Sequence, residues 1–229
     1  MNPGERAIAG QPPKEAGPGP WTSSGPGASS EGGYRLIAPL YDLIFGAALQ
    51  HGRRVAVAAL QCKPGERVLE LCIGSGLSLP LYPKNVHIVG IDFSADMLKK
   101  SAQRLGSIDA GVSCDLLQMS AERLAFADGT FDKAVVLFAV SGLPDPVHAL
   151  RALRRVCRPG ATIVIANRFR SGPRWLRFFD VLLSPLYELL RYRSDIDRDE
   201  LLRRSGLGLV EAQPVNALGY STVLTCRAP

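Results

Sequence analysis

The residues best placed for chemistry stand where two short apolar segments end. Glu70 lies in the first segment, which runs into a turn of small residues at 74–76, and Asp92 closes the second, 86–91. Small residues let backbone N–H groups approach a ligand without interference from Cβ atoms. A carboxylate at the end of a parallel strand can accept both hydroxyl groups of a ribose. The spacing therefore predicts a site for a ligand that contains a nucleoside.

The turn differs from the glycine pattern that binds a dinucleotide. That pattern, Gly-x-Gly-x-x-Gly, holds a pyrophosphate at a helix N-terminus. Here Cys72 occupies the first glycine position, and the third position past Gly76 is Leu79, followed by Pro80. A pyrophosphate would meet fewer free N–H groups and a bulkier approach. Cys72 itself is interpreted as a small residue that fills a tight turn, in preference to a nucleophile.

Apolar and amphipathic segments alternate after this turn, as in a doubly wound sheet of parallel strands. Ser94 is a predicted N-cap, because its side-chain oxygen can accept a hydrogen bond from the first helical turn, and Gly106 is predicted to end that helix. A second helix is predicted over 146–157, with Pro159 and Gly160 expected to end it. Further strands are predicted at 112–119, 133–140, 162–166, 207–214 and 219–226.

Three longer sequence segments extend the pattern. They read Gly-Ile-Asp-Phe-Ser-Ala-Asp-Met-Leu at 90–98, Ala-Glu-Arg-Leu-Ala-Phe-Ala-Asp-Gly-Thr-Phe-Asp at 121–132 and Arg-Arg-Val-Cys-Arg-Pro-Gly at 154–160. Together with the turn, these segments resemble the signature segments of class I S-adenosylmethionine-dependent methyltransferases. The resemblance covers the chain from Tyr34 to about Ala228. The resemblance implies an α/β fold with a doubly wound, mostly parallel seven-stranded Rossmann-like sheet and N-terminal lid helices. It also implies S-adenosyl-L-methionine as cofactor and methyl transfer as the reaction.

The resemblance assigns the cofactor contacts residue by residue. Those implied for the amino-acid end of the cofactor and its turn are Glu70, Cys72, Gly74, Ser75 and Gly76. Asp92 would hold the ribose hydroxyls through charge-assisted hydrogen bonds. Those implied around the adenine are Phe93, Met97, Met119, Ser120 and Ala121. Ser120 departs from the family, which often has an aspartate there for the adenine amino group, so we expect backbone contacts instead.

The segment 34–45 has polar and apolar residues at helical spacing. It is similar to the N-terminal lid of bacterial phospholipid (phosphatidylethanolamine) N-methyltransferases and, more distantly, of ubiquinone/menaquinone C-methyltransferases. The phrase Gly-Leu-Ser-Leu-Pro-Leu-Tyr-Pro at 76–83 strengthens the first comparison. In these families the lid brings a tyrosine toward the methyl group, which implies Tyr41, and then Tyr34, as catalytic residues. The alternative is that both tyrosines pack on the sheet edge with their hydroxyls in water.

The acceptor is expected beside the fourth and fifth strands, because α/β sheets bind ligands at the carboxyl ends of their strands. Residues 138–141, at the carboxyl end of the fourth strand, should line the cleft, with Phe138 among the cofactor-binding residues and Ser141 on the substrate side. After the fifth strand, Asn167-Arg168-Phe169 stands where the phospholipid enzymes usually have Asn-His-Phe. For a phospholipid acceptor, Arg168, Arg170 or Arg174 would bind the phosphate. The resemblance therefore implies a small-molecule or lipid amine as substrate, bound by Ser141, Asn167, Arg168 and Arg170.

Arginines and aromatic residues alternate between 168 and 193. A basic amphipathic helix of this kind can lie on an anionic membrane surface. The alternative is that the aromatic residues cap the sheet and line a pocket over the cofactor. We expect no nucleic-acid partner, because no recognised nucleic-acid motif accompanies the basic residues.

Composition indicates one globular domain, at 34–229, and a tail. The chain has 229 residues, 46% of them hydrophobic, and a formal net charge of +6. Residues 1–33 are rich in Gly, Pro and Ser, so we expect disorder there, and they lack the features of a signal or transit peptide. The five cysteines form no C-x-x-C pair and no metal spacing with the histidines. We therefore expect reduced thiols, no metal and a cytoplasmic protein, peripheral to a membrane if the basic segment binds one.

Three functions stay open at this level. The leading one is methyl transfer to an amine, such as an ethanolamine phospholipid. The second is a soluble small-molecule methyltransferase, or an enzyme that cyclises the aminobutyrate arm of the cofactor and releases methylthioadenosine. The third is a module that binds the cofactor or a partner without turnover.

Overall fold

The computed structural model of the protein describes residues 49–108, 112–169, 196–216 and 219–229. Its strands are β1 (Arg67–Leu71), β2 (His87–Asp92), β3 (Ser113–Gln118), β4 (Phe131–Leu137), β5 (Cys157–Asn167), β6 (Gly208–Val215) and β7 (Ser221–Arg227). The described helices are α1 (Gln50–Ala59), α2 (Ala95–Ser107), α3 (Pro146–Val156) and α4 (Arg198–Ser205). The predicted tail, Tyr34, Tyr41 and Arg170 lie outside the described residues.

The strands form one sheet in the order β3-β2-β1-β4-β5-β7-β6. The first five strands run parallel to one another, and β7 pairs antiparallel with both β5 and β6. The predicted doubly wound, mostly parallel sheet of seven strands is therefore confirmed. Because the strand order reverses between β1 and β4, the cleft at their carboxyl ends is where such sheets bind ligands.

The central strands are mostly apolar because helices cover both faces of the sheet. Consecutive residues of β5, 163–166, are fully buried. Residues of α3 and α4, such as Leu150 and Leu202, belong to the apolar cluster on one face. Val57 of α1 and Leu98 of α2 pack in the cluster on the other face.

The carboxyl end of α1 is held by a buried lysine of β4. The Lys133 Nζ donates to the carbonyl oxygens of Leu60 and Gln61, both at 2.6 Å, and lies 3.1 Å from Glu66 Oε2. Free carbonyl groups at a helix C-terminus need donors, and a cation there also matches the helix dipole. Lys133 therefore fixes α1 against the sheet.

Two of the expected element boundaries hold and two are wrong. Ser94 caps α2, accepting from the Met97 N–H at 3.4 Å, and α2 ends one residue after Gly106. Pro159 and Gly160, however, lie within β5 and do not end α3, because the Gly160 N–H pairs with the Ala228 carbonyl of the returning chain end. β4 also stops three residues earlier than expected, at Leu137.

Candidate functional site

The turn after β1 takes the left-handed backbone conformation at three positions. The φ angles are 58° at Cys72, 58° at Gly74 and 73° at Gly76. Glycine adopts this conformation freely, whereas a residue with a Cβ atom rarely does. Cys72, which stands at the first glycine position of the dinucleotide pattern, thus has a backbone angle that favours glycine while carrying a side chain.

The two glycines of the turn are required for different reasons. A Cβ atom on Gly76 would lie 2.8 Å from both Leu79 Cδ1 and Ser101 Oγ, so this position is closed by packing. A Cβ atom on Gly74 would meet no atom within 4 Å. Gly74 therefore faces open space, and that is the side on which a ligand can lie against the backbone.

Helix α2 braces the turn through two side chains that sequence reasoning missed. The Ser101 hydroxyl donates to the Gly74 carbonyl at 2.6 Å, and the Arg104 guanidinium donates to the Ser75 carbonyl at 2.5 Å. Both carbonyls are thereby directed toward α2. The spacing of polar residues along an amphipathic helix does not single these two out.

Asp92, at the end of β2, joins the turn to the start of α2. Its Oδ2 accepts from the Gly74 N–H and its Oδ1 accepts from the Ser94 N–H, both at 2.9 Å. Burial raises the pKa of this carboxyl group, and the backbone hydrogen bonds lower it. A carboxylate has about four lone-pair sites, so each oxygen can also accept from a ribose hydroxyl.

Glu70 is buried beneath the turn and is held by two hydroxyl groups. Ser78 Oγ donates to its Oε1 at 2.6 Å, and the Tyr82 hydroxyl donates to its Oε2 at 2.7 Å. Burial raises the pKa of Glu70 to about 7, against the lowering effect of both hydrogen bonds and of the Arg53 charge. Ser78 and Tyr82 were not predicted as site residues, although the phrase at 76–83 that contains them was part of the family resemblance.

The implied adenine side carries an exposed aromatic ring. Phe93, directly after Asp92, is 65% exposed, and its carbonyl accepts from Gln118 Nε2 at 2.9 Å. The Met119 N–H donates to the Asp92 carbonyl at 3.0 Å, which brings the end of β3 beside the end of β2. Ser120 follows with an exposed side chain, and Ala121 is buried. Phe93 offers an exposed apolar face of the kind that packs against a flat ring.

The expected acceptor side begins where β4 ends. Phe138 takes a left-handed φ of 56°, and its N–H donates to the Ala166 carbonyl at 2.6 Å. The Arg53 guanidinium of α1 lies 5.5 Å from the centre of the Phe138 ring. The structure thus brings Phe138, predicted to line the cleft, together with an arginine that was not predicted as a site residue.

Asn167, at the end of β5, presents one buried oxygen without a partner among the described residues. Its Nδ2 donates to Ser141 Oγ at 2.9 Å and to the Arg168 carbonyl at 2.7 Å. These contacts leave Oδ1 without a hydrogen bond within the described part of the chain. Because a buried acceptor without a donor is unfavourable, this atom is suited to receive an N–H or O–H from a ligand.

Arg168 is buried beside the hairpin that joins β6 to β7. Only 7% of the residue is exposed, and its guanidinium carbon lies 4.9 Å from the centre of the Tyr220 ring. Of the four predicted substrate residues, Ser141 and Asn167 are in contact and Arg168 is adjacent to them. Arg170 falls outside the described residues, as do the lid tyrosines Tyr34 and Tyr41.

Metal sites and reactive thiols each depend on the side chains around them. The His, Cys, Asp and Glu side chains of the described residues form no group that could hold a metal ion. Burial and the nearby Asp92 charge raise the pKa of the Cys72 thiol, so it remains protonated and is a poor nucleophile.

No described helix has the length and apolarity needed to cross a membrane.

The chain's own residues fit S-adenosylmethionine at this cleft. The open side of Gly74, the two oxygens of Asp92 and the exposed ring of Phe93 follow one another along the ends of β1 and β2. They match an amino-acid arm, a ribose and a purine in that order. S-adenosylmethionine has no pyrophosphate, so it does not need the row of free N–H groups that a dinucleotide requires.

Comparison with known proteins agrees with this assignment. A family model described as a methyltransferase domain matches residues 69–165. A phosphatidylethanolamine N-methyltransferase of Cereibacter sphaeroides is 35% identical over 81% of this chain and 91% of its own length. A 2-phytyl-1,4-naphtoquinone methyltransferase of Synechococcus elongatus is 35% identical over 65% of this chain and 67% of its own length.

Among solved structures, the methyltransferase bound to the Trm112 activator of Haloferax volcanii superposes with a TM-score of 0.67. The match covers 88% of this chain and 97% of that one at 17% sequence identity, which shows the shared fold. The sheet order, the turn after β1 and the extent of these similarities lead to one assignment. The chain belongs to the class I S-adenosylmethionine-dependent methyltransferases.

Proposed function

We propose that this methyltransferase acts on an amine, and specifically on the amino group of an ethanolamine phospholipid. The observation that carries the proposal is the buried Oδ1 of Asn167, an acceptor at the end of β5 with no donor among the described residues. An amine nucleophile carries N–H groups that need such an acceptor when they leave water. The similarity to a phosphatidylethanolamine N-methyltransferase over most of both chains supports the same acceptor class.

Asn167 would orient the amine for reaction. Its side chain cannot turn freely, because Nδ2 donates to both Ser141 Oγ and the Arg168 carbonyl. With one amine N–H bound to Oδ1, the nitrogen lone pair can point away from Asn167 toward the cofactor. Alignment of this kind accounts for much of the rate of a displacement reaction.

The cleft would also favour the neutral amine. Transfer of an ammonium group into a buried environment lowers its pKa, so a proton leaves to solvent before or during binding. When bound, S-adenosylmethionine supplies a methyl group on a positively charged sulfur, which departs as a neutral thioether. Asp92 and Glu70 would hold the rest of the cofactor in place, and Tyr41, with Tyr34 as second candidate, would contact the reacting groups from the lid.

The basic segment beyond Phe169 would bring the enzyme to its substrate. Arginines and aromatic residues alternate there, as in helices that lie on anionic lipid surfaces. Residency at a membrane surface would give the cleft direct access to a lipid head group. We therefore expect methylation of phosphatidylethanolamine vesicles to increase when an anionic phospholipid is added.

The test is product analysis with isotopically labelled S-adenosylmethionine and phosphatidylethanolamine vesicles. We expect label in N-methylated lipid and an equal amount of S-adenosylhomocysteine. Release of methylthioadenosine without labelled lipid would instead indicate cyclisation of the aminobutyrate arm. In vesicles that also contain a demethylated quinone, label in the quinone but not in the lipid would contradict the amine acceptor.

Two variants test the role of Asn167. Asn167→Leu removes Oδ1 and should lower kcat by about a hundredfold, with the Kd for S-adenosylmethionine unchanged, because one positioning contact is lost. Ser141→Ala is the matched control, since it removes the neighbouring hydroxyl and leaves Oδ1 in place; we expect a loss of less than about tenfold. Equal losses in the two variants would contradict a specific role for Oδ1.

A further inference from the structure

We propose that Asn216 and Ser221, on the β6–β7 hairpin, are donors of a phosphate-binding subsite that they share with Arg168. The inference rests on the proposed phospholipid acceptor and names the residues that would recognise its phosphate. None of the sequence motifs pointed to Asn216 or Ser221. Their relevance comes from unsatisfied polar atoms, their position in the sheet and the charge around them.

Two polar atoms of the hairpin are buried without a hydrogen bond. Asn216 Nδ2 and Ser221 Oγ both lack a partner within the described residues. Such atoms are rare in folded proteins, because each one loses its water without compensation. The Asn216 Oδ1 is in use, accepting from the Gly52 N–H of α1 at 2.8 Å. The orientation of the amide is thereby set, and its NH2 group is left as a donor.

The hairpin lies at the ligand-binding edge of the sheet. β7 runs antiparallel to β5, and its second residue, Thr222, is opposite Asn167 at the carboxyl end of β5. Ser221 is opposite Val215, the last residue of β6. Residues directly opposite in a pair share a face of the sheet, and Val215 packs in the same cluster as Val57 of α1. Ser221 therefore lies on the α1 side of this edge.

The Asn216 amide borders the lining of the acceptor side. A Cβ atom on Gly52 would lie 2.9 Å from Asn216 Nδ2 and 2.9 Å from Phe138 Cζ, so these two groups meet at the same point of α1. Asn216 thus extends the surface that Phe138 begins. Its distance in sequence from β4 and β5 hides this relationship from any motif.

Two arginines lie beside the hairpin. Arg168 lies over the Tyr220 ring, next to Ser221, and Arg53 lies over the Phe138 ring, next to the Asn216 amide. Guanidinium groups bind phosphate oxygens through several parallel N–H groups, and neutral amide and hydroxyl donors complete such sites without repelling the anion. A set of donors flanked by two arginines is suited to a phosphate diester.

The carboxylate of the cofactor offers similar chemistry, but its expected position is different. The amino-acid arm of the cofactor would lie on the open side of Gly74, after the central strand β1, whereas Asn216 and Ser221 belong to the strand pair at one side of the sheet. β4 and β5 stand between them in the sheet. We therefore assign the hairpin donors to the acceptor.

An isosteric substitution tests the assignment. Asn216→Asp keeps an oxygen for the Gly52 N–H and the left-handed backbone, at φ 64°, but replaces the donor with a negative charge. Asn85→Asp is the matched control, because Asn85 is also left-handed, at φ 68°, and lies exposed just before β2. Calorimetry on the full chain loaded with S-adenosylhomocysteine would measure binding of sn-glycero-3-phosphoethanolamine, inorganic phosphate and ethanolamine.

We expect Asn216→Asp to weaken binding of glycerophosphoethanolamine and of phosphate by at least about tenfold, and Ser221→Ala by a few-fold. Asn85→Asp should match the wild type, and ethanolamine binding should be unchanged in every variant. Equal binding of both phosphate probes by Asn216→Asp and wild type would overturn the subsite, as would the absence of binding by the wild type. A weaker affinity for S-adenosylhomocysteine in Asn216→Asp would overturn it too, because the donors would then serve the cofactor.

Failure of this inference is distinct from failure of the proposed acceptor. If Asn216→Asp methylates phosphatidylethanolamine vesicles with the wild-type KM, the subsite is wrong and the acceptor stands. If the wild type methylates no ethanolamine phospholipid but loses phosphate binding on Asn216→Asp, the subsite stands and its ligand is another phosphate ester.

Discussion

At the ends of β1 and β2, every carboxylate oxygen of Glu70 and Asp92 already accepts a hydrogen bond from the protein. At the ends of β5 and β6, Asn167 Oδ1 and Asn216 Nδ2 have no such partner within the described residues. The expected cofactor half of the cleft is therefore braced before a ligand arrives. The expected acceptor half keeps polar atoms that have no partner among the described residues.

This contrast separates two tasks of the enzyme. A cofactor of fixed structure can be met by a rigid turn, and rigidity reduces the entropy lost on binding. An acceptor is distinguished from competing molecules by donors and acceptors that stay unsatisfied unless the right groups arrive. Substitutions in the two halves should thus alter different measurements.

The largest expected effect is on cofactor affinity. Asp92→Ala removes two backbone hydrogen bonds to a carboxylate and the predicted contacts with the ribose, so the Kd for S-adenosylhomocysteine should rise by roughly a thousandfold. Asp96→Ala, on the exposed side of the first turn of α2, should change it by less than about threefold. Titration calorimetry measures both. An unchanged Kd in Asp92→Ala would remove the distinction between the halves.

The second expected effect is on stability as a function of pH. The pKa of Glu70 is about 7 in the folded protein, above its ordinary value of 4.5, so the folded state binds the proton more tightly than the unfolded chain. The associated stability is present below the unfolded pKa and is lost as the pH rises through the folded pKa. The loss between pH 4.5 and 7 is about 3 kcal/mol.

Glu70→Gln removes this proton and serves as the comparison. Relative to the variant, the wild type should lose free energy of unfolding from pH 5 to pH 7.5, and the difference should be constant above that. The raised pKa of Asp92 acts in the same direction in both proteins and cancels in the difference. Denaturant unfolding at a series of pH values measures this difference in the free energy of unfolding. If the difference does not change with pH, the pKa of Glu70 is not raised by folding.

A third effect concerns the strained turn itself. Cys72→Val places a β-branched residue at a φ of 58° and should lower the free energy of unfolding by about 2 kcal/mol. Cys72→Gly should stay within about 1 kcal/mol of the wild type, because released strain offsets the greater freedom of the unfolded chain. Cys114→Val, in the extended backbone of β3, is the control and should change stability little. If both valine variants behave alike, the turn carries no strain.

The smallest effect isolates the brace from α2. Ser101→Ala removes the hydrogen bond to the Gly74 carbonyl and should lower the free energy of unfolding by about 1 kcal/mol. Ser107→Ala, on the exposed end of the same helix, removes a bond to the Arg104 carbonyl and should have no measurable effect. Thermal unfolding compares the two. A greater loss in Ser107→Ala would mean that the turn does not depend on α2.

Much of the fold and of the cofactor side follows from local sequence. The apolar strands, the turn at 74–76, Asp92 and the Ser94 cap are each encoded within a few consecutive residues, and the structure places all of them as expected. The start of β5 was missed because it depends on pairing with the chain end: the Gly160 N–H bonds to the Ala228 carbonyl.

The supporting contacts were less accessible to sequence reasoning. The Ser101 hydroxyl reaches a carbonyl 27 positions away, and the Asn216 side chain meets Gly52 across 164 positions. No periodicity or motif encodes such pairs, because they exist only once the sheet has been assembled. Ser78 and Tyr82 are nearer to Glu70, yet their role depends on how the chain turns back after Gly76.

Cys72 also bears on how relatives of this enzyme are recognised. A pattern written in amino-acid letters that demands glycine at this place rejects the chain, whereas a pattern written in backbone angles accepts it, since φ is 58°. At position 72 the turn has the backbone conformation typical of glycine, although the residue there is a cysteine. Searches that score the backbone geometry of the turn should therefore identify related enzymes that a search by residue pattern alone does not group together.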